Sequence, residues 1–252
     1  MQPALIDTHA HLCSVDFAQD LGAVLDRARQ AGVKAVVAVG ETLADAERNL
    51  RLAEEHPMVR PAAGLYPAVL DPPQAEALQA FIRLRRGRLA AVGEVGLDGW
   101  VVRDEADREL QRAIFAGFIR LAIELDLPLN VHSRSAGRDA VAMLLAAGAR
   151  RVQLHAFDGR AAAALPGAEA GYFFSIPPSV VRSPQKQKLV RRLPLDCLLV
   201  ETDSPVLGPE PGRRNEPANL PLALAAVAQL KGIPLEQAAE AVAENTRRLY
   251  GF

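Results

Sequence analysis

Short apolar, β-branched runs alternate along this chain with longer stretches of helical period. The runs predict strands at Ala4–Thr8, Val33–Gly40, Val59–Gly64, Leu89–Gly93, Leu129–His132, Val152–His155, Gly171–Ser175 and Cys197–Glu201. They are continuously apolar, as befits strands covered on both faces in a parallel sheet. The helical stretches repeat apolar residues three or four apart. The clearest is Glu105–Leu125, where Leu110, Ile114, Phe118, Leu121 and Leu125 form one stripe and Pro128 helps to end the helix. Further helices are expected at Asp16–Ala31 (stopped by Gly32), Ala44–His56, Gln74–Arg86, Gly137–Ala147, Ala161–Pro166, Pro184–Arg192 and Leu220–Lys231, with a last one, Leu235–Arg248, after Pro234. Eight strands, each followed by a helix, predict an α/β fold: a closed (β/α)8 TIM barrel, one domain over residues 1–252. A doubly wound sheet is the alternative, but it usually has fewer strands. No linker composition or low-complexity tract divides the chain. The longest irregular stretch, Leu207–Ala218, follows the last strand and is expected to overhang the face where barrels carry their active sites.

Composition narrows the classes. The 252 residues match the roughly 250 of a typical α/β barrel. Half of them are apolar, yet no run approaches the ~20 that would span a bilayer, so no membrane association is expected. The opening Met-Gln-Pro-Ala-Leu-Ile-Asp has neither a basic nor a long apolar segment, so no secretory signal is expected either. Two cysteines, Cys13 and Cys197, make no disulfide framework, and a reducing, cytoplasmic setting is the simplest. A net charge of −1 excludes a protein that coats nucleic acid by bulk charge. It leaves open a metal site that acts on phosphates, because ions bring their own positive charge. Lysine stands only at Lys34, Lys186, Lys188 and Lys231, so arginine carries most of the positive charge.

Histidines and carboxylates gather at the ends of the expected strands. Of the five histidines, four do so: His9 and His11 close the first strand, His132 the fifth and His155 the sixth. Glu94 follows the fourth strand and Asp203 the eighth. Imidazole and carboxylate are ordinary ligands of catalytic divalent metals. A His-x-His pair alone is a weak sign, but side chains two apart in a strand point the same way and can grip one ion. A lone histidine at a strand end is more often a satisfied core residue. Two more in matching places on neighbouring strands argue otherwise. Glu94 within an apolar run is expensive to bury unless paired or metal-bound, and its flanking glycines favour close approach. The ordinary reading of Asp203 is a turn residue before Pro205, and His56, before Pro57, reads as structural or solvent-facing. The six groups suffice for two metals with positions left for water, which makes a hydrolase the first hypothesis. No lysine lies near residue 94 to serve as a carboxylated bridge, so Glu94 takes that part.

In this order, the segments Asp7-Thr8-His9-Ala10-His11-Leu12, Gly93-Glu94-Val95-Gly96-Leu97-Asp98, His132-Ser133-Arg134, His155-Ala156-Phe157-Asp158-Gly159, Glu201-Thr202-Asp203-Ser204-Pro205 and Arg214-Asn215-Glu216-Pro217 resemble the TatD family of metal-dependent deoxyribonucleases, within the amidohydrolase-like barrels. The resemblance covers nearly the whole chain. Asn130–Arg138 and Gly171–Leu189 are more similar to the archaeal branch and its eukaryotic relatives than to the common bacterial enzymes. What the resemblance implies is a binuclear centre. His9, His11 and Asp203 would hold one divalent ion, His132 and His155 the other, and Glu94 would bridge them. A metal-bound hydroxide would attack a phosphodiester of DNA, with Asp203 taking its proton. The metal is left open among zinc, manganese, magnesium, iron and nickel. Arg134, Ser133, Asn215 and Tyr66 would contact substrate.

The chain also departs from the family. Many members carry Gly-x-His-Pro-His after the third strand, where this chain has Gly64-Leu65-Tyr66-Pro67-Ala68. The aromatic pair that often follows Gly-Leu-Asp is Gly99-Trp100, which keeps one surface for stacking a base. The lost histidines and neutral charge suit a second reading, an amidohydrolase or lactonase-type enzyme of small carbonyl substrates. The basic helix Pro184–Arg192, with Lys186, Lys188, Arg191 and Arg192, suits the nuclease, although such faces are usually just solvated. A third reading, a non-catalytic metal-binding scaffold, is opposed by the complete ligand set.

Overall fold

The apolar runs form eight parallel strands paired in sequence order: β1 (Leu5–Ala10), β2 (Val33–Ala38), β3 (Val59–Ala63), β4 (Ala91–Gly96), β5 (Leu129–His132), β6 (Val152–Leu154), β7 (Phe173–Ile176) and β8 (Leu198–Val200). This computed structural model describes residues 5–252; Ala4, first of the expected first strand, lies outside the described residues. The eighth strand returns to the first. The Thr8 hydroxyl donates to Val200 O at 3.0 Å, and beyond the strand ends Asp203 N donates to His9 O at 2.9 Å and His11 N to Ser204 O at 2.8 Å. The expected barrel is therefore the fold. Around it lie α1 (Leu21–Gln30), α2 (Leu43–Glu55), α3 (Pro72–Arg85), α4 (Glu105–Leu125), α5 (Gly137–Ala146), α6 (Ala161–Glu169), α7 (Pro184–Arg192), α8 (Leu220–Lys231) and α9 (Leu235–Tyr250). None of these helices is by itself long and apolar enough to cross a membrane.

Three boundaries depart from expectation for physical reasons. The stretch expected as one helix from Asp16 begins as a separate 3₁₀ turn, Val15–Phe17, where Ser14 Oγ accepts from Asp16 N at 3.2 Å; α1 starts only at Leu21. Helix α6 runs through Pro166 to Glu169. The proline ring removes one backbone hydrogen bond, but Ala164 and Gly167 are buried and hold the helix on the barrel. Strand β4 continues past Gly93, so Glu94 lies inside the strand.

Two apolar layers hold the barrel. The outer one lies between sheet and helices and includes Val36, Leu25, Leu50, Leu78, Phe118 and Leu144. A fully buried side chain such as Phe118 contributes about 1.5–3 kcal/mol relative to exposure. The inner layer is formed by Val37, Val39, Ala62, Ala91, Phe173 and Leu199, joined by Leu249 and Tyr250 from the end of α9. Val37 and Val39 show the two-residue period expected of one face of a strand. The inner side chains also include a polar group linked to the α9 tyrosine. Tyr250 OH donates to Gln153 Oε1 at 2.6 Å, while Asn130 Nδ2 donates to Tyr250 OH at 3.1 Å and to Thr8 O at 2.9 Å.

Bulges aim the functional strands. In β1 the register steps from Asp7↔Val36 to Ala10↔Ala38, one extra residue. In β4 it steps from Gly93↔Asn130 to Val95↔Val131, which leaves Glu94 as the extra residue. A bulge re-aims the side chain it carries. Neighbouring strands can close on Glu94 only because two glycines stand beside it. A Cβ at Gly64 would lie 2.3 Å from Glu94 O, and one at Gly96 (φ +149°) 2.0 Å from His132 O.

Candidate metal centre

All six expected ligands meet at the C-terminal mouth of the barrel. His9 Nε2 and His11 Nε2 are 3.3 Å apart, and each faces Asp203 Oδ1, at 3.5 and 3.4 Å. Glu94 Oε2 turns to the same pair, 3.6 Å from His9 Nε2 and 3.2 Å from His11 Nε2. Its other oxygen, Oε1, turns the opposite way, 2.7 Å from His132 Nδ1 and 3.5 Å from His155 Nε2. Those two nitrogens are 3.2 Å apart. One buried carboxylate thus divides its oxygens between two histidine nests. The fifth histidine, His56, caps the end of α2, its N–H donating to Leu52 O at 2.8 Å, and takes no part.

The far side of two imidazoles is braced. His9 Nδ1 lies 2.8 Å from Asn130 Oδ1, which as an acceptor assigns the ring proton there and leaves Nε2 free to coordinate. His132 Nε2 lies 3.0 Å from Asp98 Oδ2, which frees Nδ1 in the same way. Asp98 is itself held by Trp100 N and Val101 N, both at 2.9 Å, and by the Tyr66 hydroxyl at 3.2 Å. Burial pushes the Asp98 carboxyl up, but His132 and the Val101 amide outweigh it and hold it at about 2. Asp7 ties the exit of β8 to β1 by accepting from Thr202 N at 2.8 Å and Thr202 Oγ1 at 2.5 Å. Burial, only partly offset by those bonds, raises its carboxyl to about 7. Asp203 adopts a left-handed backbone (φ +53°), a strained conformation of the kind that persists where surrounding contacts fix it.

The donor atoms fit a divalent cation better than they fit one another. Glu94 Oε2, which faces His9 and His11, is buried without a hydrogen-bond partner among the described residues. Such an orphan costs about 1–3 kcal/mol. The charges are strongly linked. Burial opposes ionisation of Glu94, but the facing histidines hold it well below the usual carboxylate range. Burial likewise pulls the histidines down. Asp203 and Glu94 nevertheless lift His11 well above its ordinary value, and Asp98 and Glu94 lift His132 to about 10. His155, buried and beside His9, falls to about 4. A cation with nitrogen and oxygen affinity replaces protons at just these lone pairs.

Above the ligands lies a cavity of about 440 Å³. Three of the four expected substrate contacts, Tyr66, Ser133 and Arg134, line it. The Arg134 guanidinium sits 5.3 Å from the centre of the half-exposed Trp100 ring. The fourth, Asn215, is corrected. Its side chain is buried, its amide donates to Thr202 O at 2.7 Å and Val206 O at 2.8 Å, and its oxygen accepts from Asn219 at 2.8 Å. Nothing is left for a phosphate; Asn215 pins the overhanging loop instead. The same loop is fastened to α1 by Glu216 with Arg27 and to Asp20 by Arg214.

Several residues of the site were not singled out from sequence. Asp98 and Asn130 orient ligands. Glu41, just past β2, lines the cavity with its Oε1 3.7 Å from His11 Nδ1. Glu201 accepts from Ser175 Oγ and, at 2.7 Å, from Ala156 N; burial pushes it up to about 8. Lys186, expected only as one of four basic residues on α7, is the one that reaches the cavity. The signal for Asn130 and Glu201 was available, since both are polar residues within or ending apolar strands.

A barrel whose mouth presents imidazole and carboxylate lone pairs to one another is a metal-dependent hydrolase. The chain matches the family model described as "TatD related DNase" over residues 6–251 and belongs to that family. It is 44% identical over 258 residues to the human protein named deoxyribonuclease TATDN3, covering 98% of this chain and 94% of that one. It is 32% identical over 261 residues to the 3'-5' ssDNA/RNA exonuclease TatD of Erwinia tasmaniensis, covering 98% and 100%. The solved structure of YjjV, a TatD homologue from Escherichia coli, superimposes with a TM-score of 0.91 at 30% identity and covers 98% of both chains.

Proposed function

We propose that the chain is a two-metal phosphodiesterase that cleaves ester bonds of DNA, at single strands or ends. His9, His11 and Asp203 would hold one ion, His132 and His155 the other, with Glu94 offering an oxygen to each. The observation that carries this reading is the division of Glu94, with one oxygen facing each histidine nest. Divalent ions bound there supply Lewis acidity toward phosphoryl oxygens and make a water acidic enough to serve as nucleophile near neutral pH.

The protein's own groups do the rest. Asp203 lines the cavity, and the imidazoles of His11 and His9 that face its Oδ1 favour the ionised carboxylate against the effect of burial. That carboxylate accepts the proton of the attacking water. Asp98 and Asn130 keep His132 and His9 from rotating while charge builds on the phosphate. Arg134, spread over Trp100, offers a cation to the chain of phosphates, and the exposed Trp100 face stacks a base. Tyr66 stands where relatives of the family pattern carry histidine; its hydroxyl is given to Asp98, so it shapes the wall without adding charge. The names of the human and Erwinia relatives support a nucleic-acid substrate.

The test is metal-stripped protein reloaded with Mn²⁺, Mg²⁺ or Zn²⁺ and mixed with end-labelled single-stranded DNA. Metal-dependent shortening is expected, with a fall of roughly 10²–10⁴ in rate for Asp203→Asn. No cleavage with any metal, while two ions remain bound per chain, would sink the nuclease and direct attention to small esters, lactones and amides.

A further inference from the structure

The basic residues of α7 look alike in sequence, but the fold separates them. Lys188, Arg191 and Arg192 are exposed, whereas Lys186 is 7% exposed and lines the cavity above the metal ligands. Helix α7 starts at the site. Ser183 caps it, and Gln185 Nε2 fastens it to the segment after β6 by donating to Gly159 O at 2.8 Å. From the first turn the Lys186 ammonium donates to Ala156 O at 2.9 Å. No carboxylate lies within ion-pair distance of it among the described residues. The negative charges that act on it from farther away are those of Glu201, Asp203 and Asp158.

A buried ammonium with one neutral partner is an unbalanced arrangement. It has three N–H donors and uses one. Holding a carbonyl does not require a charge, as the neighbouring Gln185 amide demonstrates. Burying a cation without an ion partner is costly unless an anion completes the site. A second unsatisfied donor stands in the same cavity: Ser133 Oγ is buried, with no hydrogen-bond partner among the described residues.

We propose that Lys186 is the anion-binding residue of this mouth, and that it works with the Ser133 hydroxyl to hold the oxygens of a substrate phosphate against the metal ligands. The assignment rests on the phosphodiesterase reading for the identity of the substrate. The anion itself follows from the two unused donors. Lys186 is then a binding residue contributed by a helix, in a site otherwise built from strand ends, and it compensates for a chain with no net positive charge.

The alternative is that Lys186 only props the left-handed turn at Ala156 (φ +41°), whose N–H is held by Glu201. Lys186→Met keeps the length and removes the charge. In the metal-loaded protein, inorganic phosphate serves as the probe, through its inhibition constant on a small phosphodiester and its upward shift of the melting temperature. Lys186→Met is expected to weaken phosphate binding and raise KM by about 10- to 100-fold, as loss of a charge-assisted hydrogen bond does. Metal content should match the wild type. Ser133→Ala, which removes an unbonded oxygen, should weaken phosphate in the same direction and supplies the reading if Lys186→Met does not fold. Unchanged phosphate affinity in these variants, or a loss of melting temperature and metal from Lys186→Met without a phosphate effect, overturns the proposal. Wild-type protein that binds phosphate through Lys186 but cuts no DNA leaves this inference standing and removes the nuclease.

Discussion

The floor and the rim of the barrel mouth are built on opposite terms. On the floor, His9, Glu94, His155 and Asp203 are buried, and most of their polar atoms face one another or a brace such as Asn130. At the rim, Trp100 and Val206 are more than half exposed, and the Arg134 guanidinium lies over the aromatic face of Trp100. The floor is fixed by many mutual contacts, whereas the rim, although its long loop is pinned, leaves side chains such as Trp100 and Val206 exposed. A centre that must keep several lone pairs within ångströms of each other needs rigid strands and second partners. A surface that receives a polymer of variable sequence needs flat, adaptable contacts. The lesson is that chemistry here is assigned to the sheet and selectivity to the loops and α7.

The sharpest way to break that contrast is Glu94→Gln. Removing the one carboxylate shared by both nests should lower metal affinity by more than the roughly 100-fold that loss of a bracing partner costs, and activity should vanish with it. Metal content after gel filtration decides this, and a variant that keeps the wild-type metal content would show that the nests do not depend on the shared carboxylate. Next in size is Asp98→Asn, which leaves the metal-facing groups in place and loosens His132 and the Tyr66 hydroxyl, both held by the same Asp98 oxygen. Metal affinity or turnover should fall by about 10- to 100-fold with little change in melting temperature. A normal enzyme would mean that the brace on His132 is dispensable. Smallest is Trp100→Ala at the rim. It should weaken oligonucleotide binding by about 1 kcal/mol or somewhat more, seen in KM, and leave turnover of a small phosphodiester alone. If the small substrate suffers equally, Trp100 serves by holding Arg134 rather than by stacking bases.

The floor was legible in the sequence and the rim much less so. Histidines at the ends of apolar strands stand out because four of the five recur in matching places, and periodicity located the strands themselves. Glu94 was legible as a buried carboxylate among histidines but not as a bulge, since the extra residue in β4 exists only relative to the register of β5. Asn215 misled because a polar residue in a long loop looks available, and only the fold reveals that its amide is used up within the loop. Lys186 was hidden among Lys188, Arg191 and Arg192, because which side of a short helix meets the barrel is decided by packing of Leu189 and Val190. Asp98 lies four residues past Glu94 in the same motif, yet its task depends on reaching a histidine of the next strand.

The polar link from Tyr250 through Asn130 to His9 joins the end of α9 to a ligand on β1. On a ribosome that makes about 5–20 residues per second, on the order of 10–50 s separates the synthesis of His9 from that of Tyr250. Asp203, too, follows most of the chain. A nascent chain therefore exposes histidines long before it can hold them in a working geometry. Hydrolytic activity arrives only when the eighth strand and the final helix close on the first.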